Sequence, residues 1–174
     1  MPTIFKDLWS DIDFDFETET PVGLLKSQVN VLSQKTYGLL KGELSTYTEN
    51  NVIYNTFYIV APRLDYYRFA LMRIISGSAL YPVYIYDYSK PENGDNDDGL
   101  EVKLAGANGA EIPRASIVVS DYARFEEIVK EILSSKETVD IIRSLVSQSK
   151  VLMAPSPVIQ SFESITSPMA AFNH

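Results

Sequence analysis

Apolar positions along this chain keep two rhythms, and the changes from one to the other mark its elements. Val22, Leu25, Val29 and Leu32 recur every three or four residues to about Thr36, which predicts an amphipathic helix. Thr20 and Pro21 suit its start. The hydroxyl can cap free N–H groups, and proline fills a position whose N–H has no helical partner. From Leu39 the period drops to two: Leu40, Gly42, Leu44 and Thr46 alternate with Lys41, Glu43, Ser45 and Tyr47. That pattern predicts a strand with one face towards water. Thr48-Glu49-Asn50-Asn51 supplies a turn, because asparagine tolerates positive φ. The return stretch, Val52 to Ala61, is β-branched and aromatic on both faces, as a central strand would be.

Pro62 cannot continue that strand but can open a helix. Leu64, Tyr67, Leu71, Ile74 and Ile75 then share a helical face before Gly77, so the spacing predicts a helix over 63–76. Leu80 to Tyr88 reads as a strand in which Pro82 points to an edge position or an irregular ladder. After a polar loop from Lys90 to Gly99, Leu100, Val102 and Leu104 alternate as a short strand of a hairpin. Gly106 to Gly109 is a turn, and Ala115 to Val119 is a fifth strand. Ser120 is expected to cap a helix carrying Phe125, Ile128, Val129, Ile132 and Leu133 on one face. Ser134-Ser135 interrupts it, and Val139, Ile142, Leu145 and Val146 form a second stripe to about Gln148.

These elements make an α+β fold: an antiparallel-rich sheet of four or five strands, an N-terminal helix, a helix at 63–76 and a C-terminal helical pair packed on the sheet. Residues 1–20 read as an acidic, aromatic N-terminal arm, 21–150 as a single α+β domain, and 151–174 as an apolar, proline-containing C-terminal tail. No run of about 18 apolar residues occurs, so no membrane span is expected. The opening Met-Pro-Thr-Ile-Phe-Lys lacks a basic-then-apolar layout, and a cytoplasmic location is the expectation.

Composition narrows the chemistry. There is no cysteine, which removes disulfides, thiolate catalysis and sulfur-ligated metals. The one histidine is the terminal His174, so a Ser-His-Asp triad would need a chain end in the active centre. A net charge of −8 opposes binding to nucleic-acid backbones and favours basic partners. Asp95, Asp97 and Asp98 are the nearest approach to a metal site, but their loop departs from EF-hand spacing and a solvated loop is expected. Ser147-Gln148-Ser149-Lys150 matches S-x-x-K without its accompanying motifs. No nucleophile elbow, phosphate loop or dinucleotide fingerprint is present, and no cofactor is expected. Arg63, Asp65 and Arg68 are expected to make surface ion pairs.

The distinctive feature is tyrosine: ten of eleven lie between Tyr37 and Tyr88. Alternation puts Tyr54 and Tyr58 on one face of a strand and Tyr84, Tyr86 and Tyr88 on one face of another. A rigid ring with a polar tip suits an interface core, so the candidate binding residues are Trp9, Tyr47, Tyr54, Tyr58, Tyr66, Arg68, Tyr84 and Tyr86. The functional expectation is a non-enzymatic protein-binding module, such as an inhibitor, immunity-type or assembly factor. It would act through a tyrosine-rich surface and an acidic face on another, basic protein, with homo-oligomerisation open and neither nucleic acid nor membrane involved. The alternatives are a cofactor-free enzyme or small-ligand binder using Asp, Glu, Tyr and Arg in a pocket, and a structural subunit of a homo-oligomer.

Overall fold

A computed structural model describes residues 19–90, 100–102 and 110–152. Helix α1 (Pro21–Lys35) begins as its sequence dictates, with Thr20 accepting a hydrogen bond from the Gly23 N–H at 3.0 Å. It ends at Thr36, whose buried hydroxyl donates to the Leu32 carbonyl at 2.8 Å and accepts from the Leu40 N–H at 3.2 Å. Tyr37 and Gly38, at φ 52° and 75°, then reverse the chain.

Strands β1 (Lys41–Glu49) and β2 (Val52–Ala61) form a hairpin closed by Asn50 and Asn51, both at positive φ (49° and 62°). A two-residue loop needs that backbone to match the twist of its strands, and asparagine supplies it cheaply. The segment expected to be helical at 63–76 is instead a turn followed by β3 (Tyr67–Ser76), antiparallel to β2. Asp65 and Tyr66 make the turn at positive φ, 55° each. The register jumps from Phe57↔Met72 to Tyr58↔Ala70, leaving Leu71 as an extra residue. This bulge turns Leu71 and Met72 both into the core, with neither accessible to solvent. Across the bulge, period-two alternation shifts phase, and Tyr67, Leu71, Ile74 and Ile75 acquire a spacing that imitates a helix.

β4 (Val83–Asp87) pairs with β3, and β7 (Ile117–Val119) pairs with β4, so the antiparallel sheet runs β1-β2-β3-β4-β7. Pro82 precedes β4, joined to Tyr81 by a cis peptide bond, and β4 is an interior strand, not the edge its proline suggested. β5 (Leu100–Val102) and β6 (Ala110–Ile112) make a separate two-stranded sheet. The fold class is therefore the α+β one expected, although β3 fills a place in the main sheet that the sequence assigned to Leu100–Leu104. The Gly106–Gly109 turn lies outside the described residues.

Helices α2 (Tyr122–Ser134) and α3 (Lys136–Val151) form the C-terminal pair. Asp121, not Ser120, caps α2, accepting from the Arg124 N–H at 2.9 Å. Ser135 ends α2 and caps α3, accepting from the Thr138 N–H at 3.1 Å. The helices bury Leu25, Phe125, Ile128, Val129, Ile132 and Leu145 against one face of the sheet, represented by Phe57, Ile59, Met72, Ile74, Ile85 and Val119. Asn55 lies on that face at 2% exposure, where its Oδ1 accepts a hydrogen bond from Thr46 Oγ1 at 2.7 Å.

Candidate functional site: an aromatic sheet face carrying two arginines

With all three helices on one side, the other face of the sheet carries what alternation places there. Strand register puts Tyr47, Tyr54, Ile75 and Tyr84 in one row across four strands, and Ser45, Thr56, Arg73 and Tyr86 in the next. Glu43 and Tyr58 stand opposite each other one step further on, followed by Lys41, Val60 and Arg68. At one end, Val52 and Ile75 pack with Ile112 of β6, flanked by Tyr54 and Tyr84.

The rings are ordered by contact. Tyr47 and Tyr54 stack with centroids 4.7 Å apart and planes 9° from parallel. Tyr86 and Tyr88 meet edge to face at 4.7 Å. The Arg68 guanidinium lies 4.2 Å from the Tyr58 ring centroid and pairs with Glu43. Arg73 donates from Nε to Thr56 Oγ1 at 3.1 Å, with its guanidinium 5.6 Å from the Tyr88 ring and 6.0 Å from Tyr47. These contacts favour the observed rotamers of both arginines ahead of any encounter.

Arg68 and Arg73 are five residues apart, and in a regular strand they would project from opposite faces. The extra residue Leu71 brings both to the tyrosine face. The sequence therefore pointed to Arg68, and by alternation to Tyr88 beside Tyr84 and Tyr86, but not to Arg73, Thr56 or Glu43. The signal for Arg73 was present in the alternation of Arg73 with Met72 and Ile74, hidden by the helical reading of the segment.

Of the candidate residues, Tyr47, Tyr54, Tyr58, Arg68, Tyr84 and Tyr86 share this face. Their exposure varies: Tyr47 is 44% exposed, whereas Tyr86 is 4% exposed. Tyr66 sits in the β2–β3 turn, largely exposed, and Arg63 and Asp65 belong to that turn instead of to a helix. Trp9 and the three loop carboxylates, Asp95, Asp97 and Asp98, lie outside the described residues. Among the described residues no group of three carboxylate or imidazole side chains is placed to hold a metal ion. No helix among them is long and apolar enough to cross a membrane. Ser147 is exposed on α3, while Ser149 is buried, its hydroxyl with no hydrogen-bond partner among the described residues.

Charge is divided unevenly. Of the 23 acidic side chains, nine lie in two short stretches of the sequence, at Asp7, Asp11, Asp13, Asp15 and Glu17 and at Glu92, Asp95, Asp97 and Asp98. The tyrosine face itself bears Lys41, Arg68 and Arg73 against Glu43 and Glu49.

No family model, curated protein or solved structure matches this chain. The site must therefore be read from its own chemistry.

Proposed function

We propose that this chain is a non-enzymatic protein-binding module, of the inhibitor, immunity or assembly-factor kind, and that its docking surface is the tyrosine and arginine face of the sheet. The observation that carries this reading is the alignment of Tyr47, Tyr58, Arg68 and Arg73 on a face that no helix among the described residues covers. Tyrosine and arginine dominate the energetic centres of protein interfaces, because each buries a large, stiff surface and still offers polar atoms to the partner. The β3 bulge adds weight, since such irregularities re-aim side chains at working surfaces. The partner is a basic protein. It is steered by the acidic stretches at residues 1–18 and 91–99 and meets the sheet face through apolar and hydrogen-bonding contacts. The cytoplasm is the proposed location.

The experiment is affinity capture from native cells with the wild type and with the double variant Tyr47→Ala/Arg68→Ala, followed by titration of the captured partner. The expected result is a partner retained by the wild type and bound at least about 30-fold more weakly by the variant, as loss of an interface centre costs about 2 kcal/mol or more. Equal capture by both proteins, with equal thermal stability, would rule out this face. A light-scattering mass of two chains that falls to one in the variant would point to a second copy as the occupant.

A further inference from the structure

On the helix side of the sheet, α1 and α2 flank a cleft of about 590 Å³, within the range of roughly 300–1,000 Å³ typical of small-molecule sites. Phe57, Ile59 and Leu71 form its closed floor. Its walls remain partly exposed: Leu24 and Leu32 from α1, Leu133 from α2, and Val139 and Ile142 from α3. Apolar surface in that position still has burial to gain from an occupant, at about 25 cal/mol per Å².

The polar lining side chains are few among the described residues. Gln28 and Lys35 lie two turns apart on α1, and Glu126, Lys130 and Ser134 follow one another at single-turn spacing on α2. The Ser134 hydroxyl already donates to the Lys130 carbonyl at 2.7 Å. Lys35 and Lys130 form no ion pair among the described residues, so the rim presents two uncommitted ammonium groups against the one carboxylate of Glu126. The other described lining residues are apolar and offer no side chain for a directed hydrogen bond. The cleft's selectivity therefore rests on an apolar chain within and a negative charge at the mouth.

We propose that this cleft binds one single-chain amphiphile with an anionic head, of the fatty-carboxylate class. The alkyl chain lies along Leu24, Leu133 and Ile142, and the carboxylate sits between Lys35 and Lys130. The site is on the opposite side of the sheet from the tyrosine face and does not depend on that face's role.

The test is titration of the full chain with sodium dodecanoate below its micelle concentration, followed by calorimetry and methyl NMR. Saturable binding of one molecule per chain is expected, with shifts centred on Leu24, Leu133 and Ile142. Dodecyltrimethylammonium, which has the same tail and the opposite charge, is expected to bind about tenfold more weakly or worse. The variant Lys35→Glu/Lys130→Glu, altered only at exposed positions, is expected to lose about tenfold in dodecanoate affinity at unchanged thermal stability. Absence of saturation, equal affinity for the two head groups, or shifts centred on Tyr47 and Tyr54 would each overturn the proposal.

Discussion

Gly42 packs directly against α1, and its replacement by alanine tests the packing. A Cβ built there would stand 2.6 Å from the Val29 Cα and 3.1 Å from both the Val29 carbonyl oxygen and the Phe57 Cζ. Carbon atoms pack comfortably at about 3.5–4.0 Å, so α1 would have to retreat by roughly 1 Å. The nearest obstacle is helix backbone, so turning a side chain does not relieve it. Overpacking of this kind costs about 1–3 kcal/mol. Against it stands a gain of about 0.4–1 kcal/mol, because alanine restricts the unfolded chain more than glycine does. The balance is a loss of about 1–2 kcal/mol. Urea unfolding followed by helix circular dichroism should show the midpoint lowered by roughly 0.5–1 M at unchanged slope, for a slope of about 2 kcal/mol/M. Gly38 provides the contrast: its φ is 75° and a Cβ at that position would meet nothing within 4 Å, so the obstacle there is backbone conformation alone. Asparagine, which tolerates that φ, should restore most of the stability at position 38 and none at position 42. A Gly42→Ala protein as stable as the wild type, or more so, would refute the close approach of α1 to β1.

Other substitutions probe separate interactions. Thr46→Val removes the donor to the buried Asn55 side chain and should cost about 1–2 kcal/mol in the same unfolding assay. Asp121→Ala leaves the first turn of α2 uncapped and should lower stability by about 0.5–2 kcal/mol, with Asn at that position largely tolerated. Burial first, and Tyr122 and Asp121 next, push the Tyr81 hydroxyl up from 10.0 to about 12, and it is buried with no hydrogen-bond partner among the described residues. Between pH 10 and 12 the native state keeps a proton that the unfolded chain has released, so stability falls as pH rises through that window. Allowing for partial access of water to the ring, the loss is of order 1–2 kcal/mol. Tyr81→Phe should be neutral or slightly stabilising at pH 7 and should fall less steeply from pH 10 to 12 in thermal melts; an identical pH slope would refute the assignment.

Local chemistry carried much of the fold into the sequence. Thr20-Pro21, Asn50-Asn51 and Ser134-Ser135 are a cap, a hairpin loop and a helix break whose physical requirements are met by their own side chains and backbones, within a few residues. The helix stripes of Leu25 and of Phe125 to Ile132 were legible for a similar reason: a 3.6-residue period survives wherever one face is buried. Residues 67–76 were misread because their periodicity is broken by Leu71, and that bulge exists only in the pairing of β3 with β2. The aromatic face was half legible. Alternation grouped Tyr54 with Tyr58 and Tyr84 with Tyr86, but nothing local says that these strands lie side by side, or that Arg73 fills the space between Thr56, Tyr47 and Tyr88.

The sequence by itself determined the α+β class, most element positions, the absence of cysteine chemistry and the overall negative charge. Tertiary structure alone decided which strands are neighbours and that two arginines five residues apart share one face. The physical reason is range. Caps, turns and helical stripes are set by interactions over a few residues, whereas sheet order, the phase of a bulge and the sharing of a face come from hydrogen bonds between segments distant along the chain.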